Sequence, residues 1–405
     1  MTHSICILGR QPELGLAELE SLYGATTVSH VSNQVAELSL PAQEIQFARL
    51  GGSTRLASVL AVVPATDWKL IEKQLTKLIR STGFVLPTSG KFHLGLSAYG
   101  FQVSPPKLTA LGLTLKKVLK SRHDGSVRLV PSSGAELSTA QVYHNHLADE
   151  HGAELLLIAA GNKTIIARTV AVQDIDSYTL RDRGRPKRDA RVGMLPPKLA
   201  QIIINLAAGQ IKSSHEPGTT NHEKTILDPF CGTGVVLQEA LLMGYDVYGT
   251  DLEPRMVEYS RANLDWLATT NYTLPTTPYH LEAGDATTHH WQPTPDLVAG
   301  ETYLGRPFTE VPAREVLEQT VSDVNAILTK FLHNLHAQLA PGARLCLAVP
   351  AWQTTPYQFR HLPLIDQISE MGYNRVEFER VPSSHLLYYR EDQIVARELL
   401  VLTVK

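Results

Sequence analysis

Two acidic residues and two glycines follow short apolar segments near the middle of the chain. Residues 228–234 read Asp-Pro-Phe-Cys-Gly-Thr-Gly and come directly after Ile226 and Leu227. An apolar segment, a glycine turn and an apolar helix indicate a buried parallel strand whose carboxyl end contacts a ligand. Asp251 closes a second apolar segment 23 residues after Asp228, close to the spacing of about 20 at which an acid binds a ribose diol in dinucleotide sites. The pattern therefore predicts a nucleoside site at the edge of an α/β sheet.

A dinucleotide fits this loop less well than a zwitterionic nucleoside does. Leu237 stands where the third small residue of a dinucleotide fingerprint lets the helix approach a pyrophosphate. Asp228 would repel a diphosphate, whereas it would attract an ammonium or sulfonium group. These two residues favour S-adenosylmethionine over NAD. Glycines that serve packing alone are the common alternative for a single loop of this kind, but the second motif at Asp251 argues against it.

The segment 228–234 resembles the first motif of class I methyltransferases, in the form common among enzymes that methylate nucleobase amino groups. Residues 173–189 and 193–207, which include Met194-Leu-Pro-Pro-Lys-Leu-Ala, are similar to the domain junction of archaeal and eukaryotic tRNA guanosine N2-methyltransferases. The matching segments cover most of residues 90–300. The resemblance implies a THUMP RNA-binding region followed by a methyltransferase domain that uses S-adenosylmethionine.

The resemblance also implies which residues hold the cofactor. Asp285 follows the third predicted strand of the C-terminal domain, where the family places an acid or amide beside the adenine amino group. Taken alone, its Gly-Asp pair would indicate only a turn. The predicted cofactor-binding residues are Asp228, Pro229, Phe230, Gly232, Gly234, Asp251, Leu252, Asp285 and Ala286.

Methylation of an exocyclic amine sets a further requirement. The nitrogen lone pair is delocalised into the ring, so acceptors placed on the amine hydrogens are needed to make it available. Relatives use an Asp/Asn-Pro-Pro-Tyr motif after the fourth strand, and residues 300–303 read Gly-Glu-Thr-Tyr there. Glu301 could supply the carboxylate from one position later while Tyr303 stacks on the base. Alternatively, the site has lost this chemistry or accepts another group, and Glu301 is a capping or solvated acid.

The densest basic cluster lies in the junction that the resemblance covers. A run of charges usually marks a solvated face, but RNA phosphates would pass here toward the catalytic domain, so both interpretations stay open. Lys116, Lys117, Lys120 and Arg122 form a weaker patch of the same kind. The predicted RNA-binding residues are Arg181, Arg183, Arg185, Lys187 and Arg188, and Arg191 belongs to the same cluster.

No metal site is predicted. Cys6, Cys231 and Cys346 are far apart, so neither a disulfide framework nor a zinc site is indicated. Cys231 lies in the cofactor loop, where a small packing residue is the favoured role. His289 and His290 have no partners at metal-ligand spacing and are expected on the surface.

The composition is that of a globular chain with more than one domain. Its 405 residues exceed one ordinary core, and 43% are hydrophobic and 19% charged. No apolar run reaches the length of about 18 residues that a membrane helix needs, and the first residues lack a secretory signal pattern, so a cytoplasmic protein without a membrane partner is expected. A net charge of −3 argues against nonspecific coating of nucleic acid, so any RNA site has to be local.

The order of apolar segments predicts an α/β fold throughout. Residues 1–82 resemble a ferredoxin-like domain, and 83–172 are expected to form the THUMP domain, with a helix over 139–150. A basic linker, 173–194, leads into a Rossmann-like class I methyltransferase domain, 195–405, with a mostly parallel seven-stranded sheet. Its strands are predicted near 225–228, 246–250, 279–283, 296–299, 343–349, 374–380 and 395–404, the last two as an antiparallel edge pair.

Together these features predict an S-adenosylmethionine-dependent methyltransferase acting on guanosine N2 in the D-arm region of tRNA. A DNA methyltransferase acting on adenine N6 or cytosine N4 is an alternative because the form of residues 228–234 is shared, although the N-terminal 165 residues speak against it. A tRNA-binding protein without turnover is another alternative, supported by the altered residues 300–303. Eukaryotic relatives act with a small activating partner subunit, and the sequence leaves open whether this chain needs one.

Overall fold

The computed structural model describes residues 3–87, 89–189, 194–211, 224–270, 279–391 and 393–405. The chain divides into two compact units. The first contains Met1–Pro12, Thr26–Ala48 and Ser53–Ser177, and the second contains Glu13–Ala25, Arg49–Gly52 and Tyr178–Lys405. No helix within the described ranges is long and apolar enough to cross a membrane.

The first unit is built on one mixed sheet. Its strands are β1 (Ser4–Leu8), β2 (Val28–Ser32), β3 (Val35–Leu38), β4 (Ser53–Val63), β5 (Lys91–Tyr99), β6 (Ser126–Leu129), β7 (Gly152–Ala160) and β8 (Lys163–Val172). They lie in the order β2-β3-β1-β4-β8-β7-β5-β6. Strand β5 is parallel to β6 and β7, and the remaining pairs along this order are antiparallel.

Helix α1 (Pro12–Tyr23) follows β1 and belongs, from Glu13 onward, to the second unit. Helices α2 (Trp68–Arg80) and α3 (Pro105–Lys120) cover the sheet of the first unit with apolar side chains spaced three or four residues apart, which is the helical period. Helices α4 (Thr139–His144) and α5 (Ile175–Thr179) are short.

Residues from both predicted N-terminal domains share a core. Ile5 and Ile7 of β1 lie in one apolar cluster with Tyr99, Leu156 and Ile165, and β4 pairs with β8 along most of its length. The predicted boundary between residues 82 and 83 therefore falls inside one sheet. The sequence pattern located the strands but could not show which strands pair. The descriptions ferredoxin-like and THUMP for the two halves remain predictions.

The second unit contains a larger, mostly parallel sheet. Its strands are β9 (Thr225–Asp228), β10 (Asp246–Asp251), β11 (Tyr279–Ala283), β12 (Leu297–Glu301), β13 (Arg344–Thr355), β14 (Gln358–Arg360), β15 (Tyr373–Arg375), β16 (Leu387–Tyr388) and β17 (Val395–Val404). Within the described residues, seven of them follow the order β11-β10-β9-β12-β13-β17-β15, while β14 pairs with β13 and β16 with β17. Strands β9 to β13 on this path are parallel, and β17 is antiparallel to β13 and β15. The predicted mostly parallel sheet with an antiparallel edge pair is thus confirmed, and β14 and β16 raise the number of its strands among the described residues from the predicted seven to nine.

Helices α6 (Pro197–Ala208), α7 (Val235–Leu242), α8 (Pro254–Thr269) and α9 (Arg314–His336) belong to this unit. A core that includes Trp291, Phe331 and Trp352 packs between the sheet and α9. Along the chain, β10 and β11 are added on one side of β9, whereas β12 and β13 are added on the other. This reversal leaves a crevice at the carboxyl ends of the central strands, where α/β sheets bind ligands.

One helix of the first unit is shorter than predicted. The helix expected over 139–150 ends at His144. Asn145 Nδ2 donates a hydrogen bond to the Gln141 carbonyl, and His146 has a φ of 54°, outside the helical range. The side chain of Asn145 therefore ends the helix by binding a carbonyl of its last turn.

One strand of the second unit is also shorter than predicted. The strand expected over 374–380 is β15, which ends at Arg375. The backbone N–H groups of Glu379 and Arg380 donate instead to the carboxylate of Glu20 in α1, at 2.6 and 2.9 Å. A carboxylate thus takes the donors that a longer strand would have used.

Polar side chains make α1 an integral part of the second unit. Glu18 is fully buried, and its carboxylate accepts hydrogen bonds from the N–H groups of Gly51 and Gly52, both at 2.9 Å, and from Asn205 Nδ2 at 2.7 Å. Burial raises the pKa of Glu18 to about 7, although these donors oppose the shift. A Cβ atom on Gly51 would lie 2.0 Å from the Lys198 carbonyl oxygen, so only glycine permits this approach.

Candidate active site

The carboxyl ends of β9, β10 and β12 open into a pocket of about 710 Å³. Both predicted catalytic residues line it, as does every predicted cofactor-binding residue except Gly234. All of its lining residues belong to the second unit. Residues from three strand ends and the loops between them therefore meet in one concave site of the size that small-molecule ligands use.

Asp228 ends β9 at the floor of this pocket. It is buried, and within the described residues its one hydrogen-bond donor is the N–H of Phe230, at 3.2 Å. Burial raises the pKa of Asp228 well above its usual value, and the nearby Asp251 and Glu301 carboxylates add to the effect. A bound cation would favour the ionised form, so this carboxylate suits a positively charged ligand.

Asp251 ends β10 next to the glycine loop. Its Oδ2 accepts a hydrogen bond from the Gly232 N–H and its Oδ1 one from the Glu253 N–H, both at 2.9 Å. Burial raises the pKa of Asp251, and the two N–H donors oppose this. Because these bonds fix the carboxylate at the pocket wall, its remaining lone pairs can accept hydroxyl groups of a ligand.

Asp285 and Ala286 lie in the loop that follows β11. The N–H and hydroxyl of Thr287 donate to Asp285 Oδ1 at 2.9 and 2.8 Å, and they lower the pKa of this exposed carboxyl. Asn334 of α9 supports the loop from behind, because its Nδ2 donates to the carbonyl oxygens of Ala286 and His289 at 3.0 and 2.9 Å. The loop is thus held by hydrogen bonds between its own residues and by Asn334 of α9.

Gly234 does not line the pocket. Its φ is +81°, and a Cβ atom there would lie 2.9 Å from Ser260 Oγ of α8. Its position accounts for close packing of the glycine loop against α8 and gives no support to a contact with the cofactor. Cys231 is also buried beside Ser260, and burial raises the pKa of its thiol well above the usual value. A thiol that resists ionisation suits the predicted packing role.

Glu301, the last residue of β12, forms an ion pair with Arg397 of β17. Arg397 Nε donates to Glu301 Oε1 at 2.5 Å, and both side chains are largely buried. Burial raises the pKa of Glu301, and Arg397 opposes this. In the part of the chain that the structure describes, Glu301 Oε2 has no hydrogen-bond partner, although the residue lines the pocket. One carboxylate oxygen is therefore available to a ligand.

Gly300 stands where an acid begins the motif of the resembling enzymes. A Cβ atom at this position would lie 2.5 Å from Asp228 Oδ1. The Asp228 carboxylate thus occupies the space that a side chain at residue 300 would need. The next residue, Glu301, is the nearest position on β12 from which a carboxylate can enter the pocket.

Tyr303 follows β12 and is 47% exposed, which is unusual for a large aromatic side chain in a pocket wall. The loop continues through Gly305, whose φ is +82° and whose hydrogen atom faces Thr320 and Val324 of α9. Glu301 and Tyr303 both line the pocket, two residues apart in the chain, and offer a carboxylate and an aromatic ring to a ligand.

The predicted RNA-binding residues fall into two groups. Arg181 is 6% exposed and pairs with the buried Glu239 of α7 at 2.6 Å, and Arg185 is 3% exposed. Their burial does not support RNA contacts for these two residues. The remaining three side chains, Arg183, Lys187 and Arg188, are exposed, and Arg191 lies outside the described residues.

The linker reaches the pocket. Asn263 of α8 accepts the Lys187 N–H at 2.9 Å and donates to the carbonyl oxygens of Lys187 and Thr233, at 2.9 and 2.8 Å. Asp189 lines the pocket and pairs with Arg255 at 3.3 Å. The exposed basic residues therefore lie on a segment that is fastened to the glycine loop of the site.

His289 is not a surface residue. Its side chain is largely buried, and its Nε2 lies 3.0 Å from Glu282 Oε1. A Cβ atom on Gly284 would be 2.3 Å from the His289 ring, so the glycine permits the ring to pack under the loop. His290 is exposed, as predicted. Among the residues described here, no group of three His, Cys, Asp or Glu side chains could hold a metal ion.

The residues of the pocket fit S-adenosylmethionine. Asp251 offers acceptors to a ribose diol, Asp285 offers an acceptor to an adenine amino group, and the sparsely bonded Asp228 offers negative charge to a cation. The pocket volume of about 710 Å³ is within the range of roughly 300–1,000 Å³ seen for cofactor sites.

Several residues of this site were not predicted. Arg397 is the most important, and its signal is a charged Arg-Glu pair inside the otherwise apolar β17, which indicates a partner across the sheet. Asp189 and Asn334 had no signal in the sequence, because nothing in the linker or in α9 marks them as facing the glycine loop or the loop after β11.

Comparison with known proteins gives a match over the part of the chain that contains this pocket. Residues 199–397, from α6 to β17, match a protein-family profile described as "Methyltransferase domain". The mostly parallel sheet and its switch-point pocket give this segment the Rossmann-like fold of class I methyltransferases.

Its most similar relatives include archaeal enzymes. The chain is 32% identical, over 195 residues, to the tRNA (guanine(10)-N2)-dimethyltransferase of Methanothermobacter thermautotrophicus, covering 48% of this chain and 49% of that protein. It is 38% identical, over 93 residues, to the protein of the same name from Pyrococcus abyssi, covering 23% and 22%. In these matches the chain spans about half the length of the first relative and less than a quarter of the second. The predicted resemblance to tRNA guanosine N2-methyltransferases is confirmed, whereas the THUMP assignment remains a prediction.

Among solved structures, TrmN from Thermus thermophilus is similar over the full length of both chains, with a TM-score of 0.49 and 15% identity.

Proposed function

We propose that this protein transfers a methyl group from S-adenosylmethionine to the N2 atom of a guanosine in tRNA. The observation that carries the proposal is that Asp251 and Asp285 line the same pocket as Glu301 and the exposed Tyr303. The names of the relatives supply the substrate class. The D-arm region as the target remains an expectation from the family resemblance.

The cofactor would be held by the residues at the ends of β9, β10 and β11. Asp251 would bind the ribose hydroxyls, Asp285 the adenine amino group, and Asp228 the positively charged end. Pro229, Phe230, Gly232, Leu252 and Ala286 would shape the walls around it. S-adenosylmethionine supplies, when bound, a methyl group on a positively charged sulfur.

Glu301 and Tyr303 would prepare the acceptor. The Tyr303 ring offers a surface on which a guanine can stack. Glu301 Oε2 would accept a hydrogen bond from the N2 amino group, which localises the nitrogen lone pair, and would take the proton that leaves as nitrogen gains its fourth bond. Arg397 holds the other oxygen, Oε1, so the carboxylate is oriented before the base arrives.

The exposed side chains of Arg183, Lys187 and Arg188 would contact RNA phosphates. They lie on the linker segment that Asn263 ties to the glycine loop, so an RNA backbone bound there would be led toward the pocket. A THUMP role for residues 83–172, a cytoplasmic location and any activating subunit are parts of the proposal that follow from the tRNA substrate and the family resemblance.

The test is methyl transfer from labelled S-adenosylmethionine to an unmodified tRNA transcript, with duplex DNA of equal length assayed alongside. Digested nucleosides are separated and identified by mass spectrometry. N2-methylguanosine or its dimethyl form from tRNA alone is the expected product. Methyladenine or methylcytosine from DNA would replace the proposal with a DNA methyltransferase, and cofactor binding without transfer to either polymer would indicate a binding protein or a missing subunit.

A further inference from the structure

Strand β13 continues past the edge of the sheet at which the pocket lies. Ala348 pairs with Glu301, the last residue of β12, and β13 then runs on from Val349 to Thr355. Strand β14 folds back on this extension and β17 flanks it, with Trp352 opposite both Arg360 and Val395. At about 3.3 Å per residue, the extension reaches roughly 23 Å beyond Ala348.

The end of this ribbon carries a group of aromatic rings, here called the aromatic tip (Tyr357, Phe359 and Tyr389). The ring of Tyr389 lies 6.4 Å from that of Tyr357 and 5.3 Å from that of Phe359, measured between centroids. Tyr357 is 69% exposed. Phe359 and Tyr389 are partly buried, and residues 349–352 of the extension are buried, so Tyr357 is the exposed member of the group at the end of the ribbon. An exposed ring backed by two further rings offers an apolar surface of the kind found at binding sites.

The backbone at Tyr357 is unfavourable for this residue type. Pro356 and Tyr357 form the two-residue turn between β13 and β14, and Tyr357 has a φ of +64°. Proline at the first central position with positive φ at the second is the type II pattern, which favours glycine or asparagine at the second. A tyrosine held there at a conformational cost indicates that its ring is needed at this position.

The ribbon is connected to the active site at its base. Arg397, which pairs with Pro350 of β13, binds Glu301. A Cβ atom on Gly305, in the loop that carries Tyr303, would lie 3.8 Å from the Trp352 ring. The side chains of Arg360 and Arg390, next to the aromatic tip, are exposed. The tip therefore combines the exposed ring of Tyr357 and two partly buried rings with adjacent guanidinium groups, at the end of a ribbon whose base contacts the residues around Glu301 and Tyr303.

We infer that the aromatic tip stacks against unpaired nucleobases of the substrate RNA that flank the target nucleotide. The inference rests on the proposed function, because a base that enters the pocket leaves its helix and its neighbours lose stacking partners. Aromatic side chains bind such bases through their faces whatever the sequence, and arginine side chains bind the phosphates between them. The tip would thus recognise local unpaired structure rather than base identity.

Two variants test the inference. Tyr357→Gly removes the ring and also relieves the positive φ, so this variant is expected to fold at least as stably as the parent. Its dissociation constant and KM for an unmodified tRNA transcript should rise about 5- to 100-fold, whereas its affinity for S-adenosylmethionine should not change. Tyr357→Phe keeps the ring and should bind the transcript like the parent. A fully paired RNA duplex of the same length should bind both variants and the parent equally.

The outcomes separate this inference from the proposed function. If the parent methylates tRNA and Tyr357→Gly has the same KM for the transcript as the parent, the inference is overturned and the proposed function stands. Weaker transcript binding by Tyr357→Gly, with no methylguanosine formed even by the parent, would support the stacking surface and count against the activity. A parent dimer that Tyr357→Gly converts to monomer in sedimentation, with unchanged tRNA affinity, would assign the tip to self-association and overturn the inference.

Discussion

Arg397 Nε lies 2.5 Å from Glu301 Oε1, although the two residues are 96 positions apart in the chain. The pair joins β17 to the end of β12, where the acceptor base would sit. Burial raises the pKa of Glu301, and the arginine works against that rise. The guanidinium therefore favours the ionised form of a carboxylate that burial disfavours.

Replacing Glu301 by glutamine should lower kcat by about 100-fold or more, because the amide cannot take the proton that leaves the amine. The affinity for S-adenosylmethionine, measured by calorimetry, should remain within about twofold. Glu310→Gln is a matched control, since Glu310 is an exposed glutamate seven residues after Tyr303. Full activity in the Glu301 variant would remove the residue from the proposed chemistry.

Replacing Arg397 by methionine should shift the pH dependence of kcat. Without its cation, Glu301 would have a pKa higher still, so the carboxylate would protonate at a higher pH. The acidic limb of the rate profile is expected to move to higher pH, so that the variant loses activity at a pH where the parent is still active. Arg397→Lys keeps a positive charge and should shift the limb less. A profile that falls uniformly at every pH would contradict this account.

Asp251→Asn should weaken the binding of S-adenosylmethionine. Charge-assisted hydrogen bonds to ribose hydroxyls contribute about 1.5–3 kcal/mol, so the dissociation constant should rise about 10- to 100-fold. Calorimetry with S-adenosylmethionine measures this directly, without any RNA. Glu258→Gln, at an exposed position of α8, changes charge by the same amount away from the pocket and should leave the affinity unchanged.

Gly234→Ala and Gly342→Ala form a matched pair for stability. Their φ angles are +81° and +80°, so both substitutions carry the same backbone strain of roughly 1–2 kcal/mol. Only at Gly234 does the new Cβ meet an atom, Ser260 Oγ at 2.9 Å, whereas nothing lies within 4 Å of the Cβ at Gly342. Urea unfolding should show Gly234→Ala as less stable than Gly342→Ala by at least about 1 kcal/mol. Equal losses would mean that the loop moves away from α8 at no cost.

The buried Glu18 should give stability a dependence on pH. Its pKa is raised from 4.5 to about 7 on folding, so between these pH values the folded state binds more protons than the unfolded state. The free energy of unfolding therefore falls as the pH rises through this window, by about 3 kcal/mol from this group.

Glu18→Gln removes that contribution, because an amide does not titrate. Urea unfolding of parent and variant at pH 5 and pH 8 gives the change as a difference of differences, in which all other carboxyl groups cancel. The parent should lose about 3 kcal/mol more than the variant over this interval. Parallel pH profiles would show that Gly51, Gly52 and Asn205 keep Glu18 ionised throughout.

The strand ends of the pocket could be predicted because each is marked locally. Asp228 and Asp251 end their strands and Asp285 comes two residues after β11, so their places depend only on the strand pattern and on the rule that parallel strands end at one edge. Glu301 could be placed for the same reason. Its role was left open, since whether a carboxylate is solvated or paired depends on Arg397, and no local pattern links the two.

In the basic linker, the sequence could not predict which side chains are buried. Arg181 and Arg183 look alike in sequence, yet Arg181 is buried against Glu239, which lies 58 residues further along the chain, while Arg183 is exposed. A charge run does not reveal which of its members find partners after the chain has folded. The division of the chain was equally hidden, because the bonds of Glu18 and Glu20 in α1 are made to residues far away in sequence.

Those bonds affect how the chain can fold while it is being made. Helix α1 leaves the ribosome before the groups that satisfy Glu18 and Glu20, which include Asn205 and the backbone of residues 379–380. At about 5–20 residues per second, the last of these follow roughly tens of seconds later. The second unit therefore cannot complete its assembly before residues 379–380 have been synthesised. Until then, α1 carries two carboxylates without all of their folded-state partners.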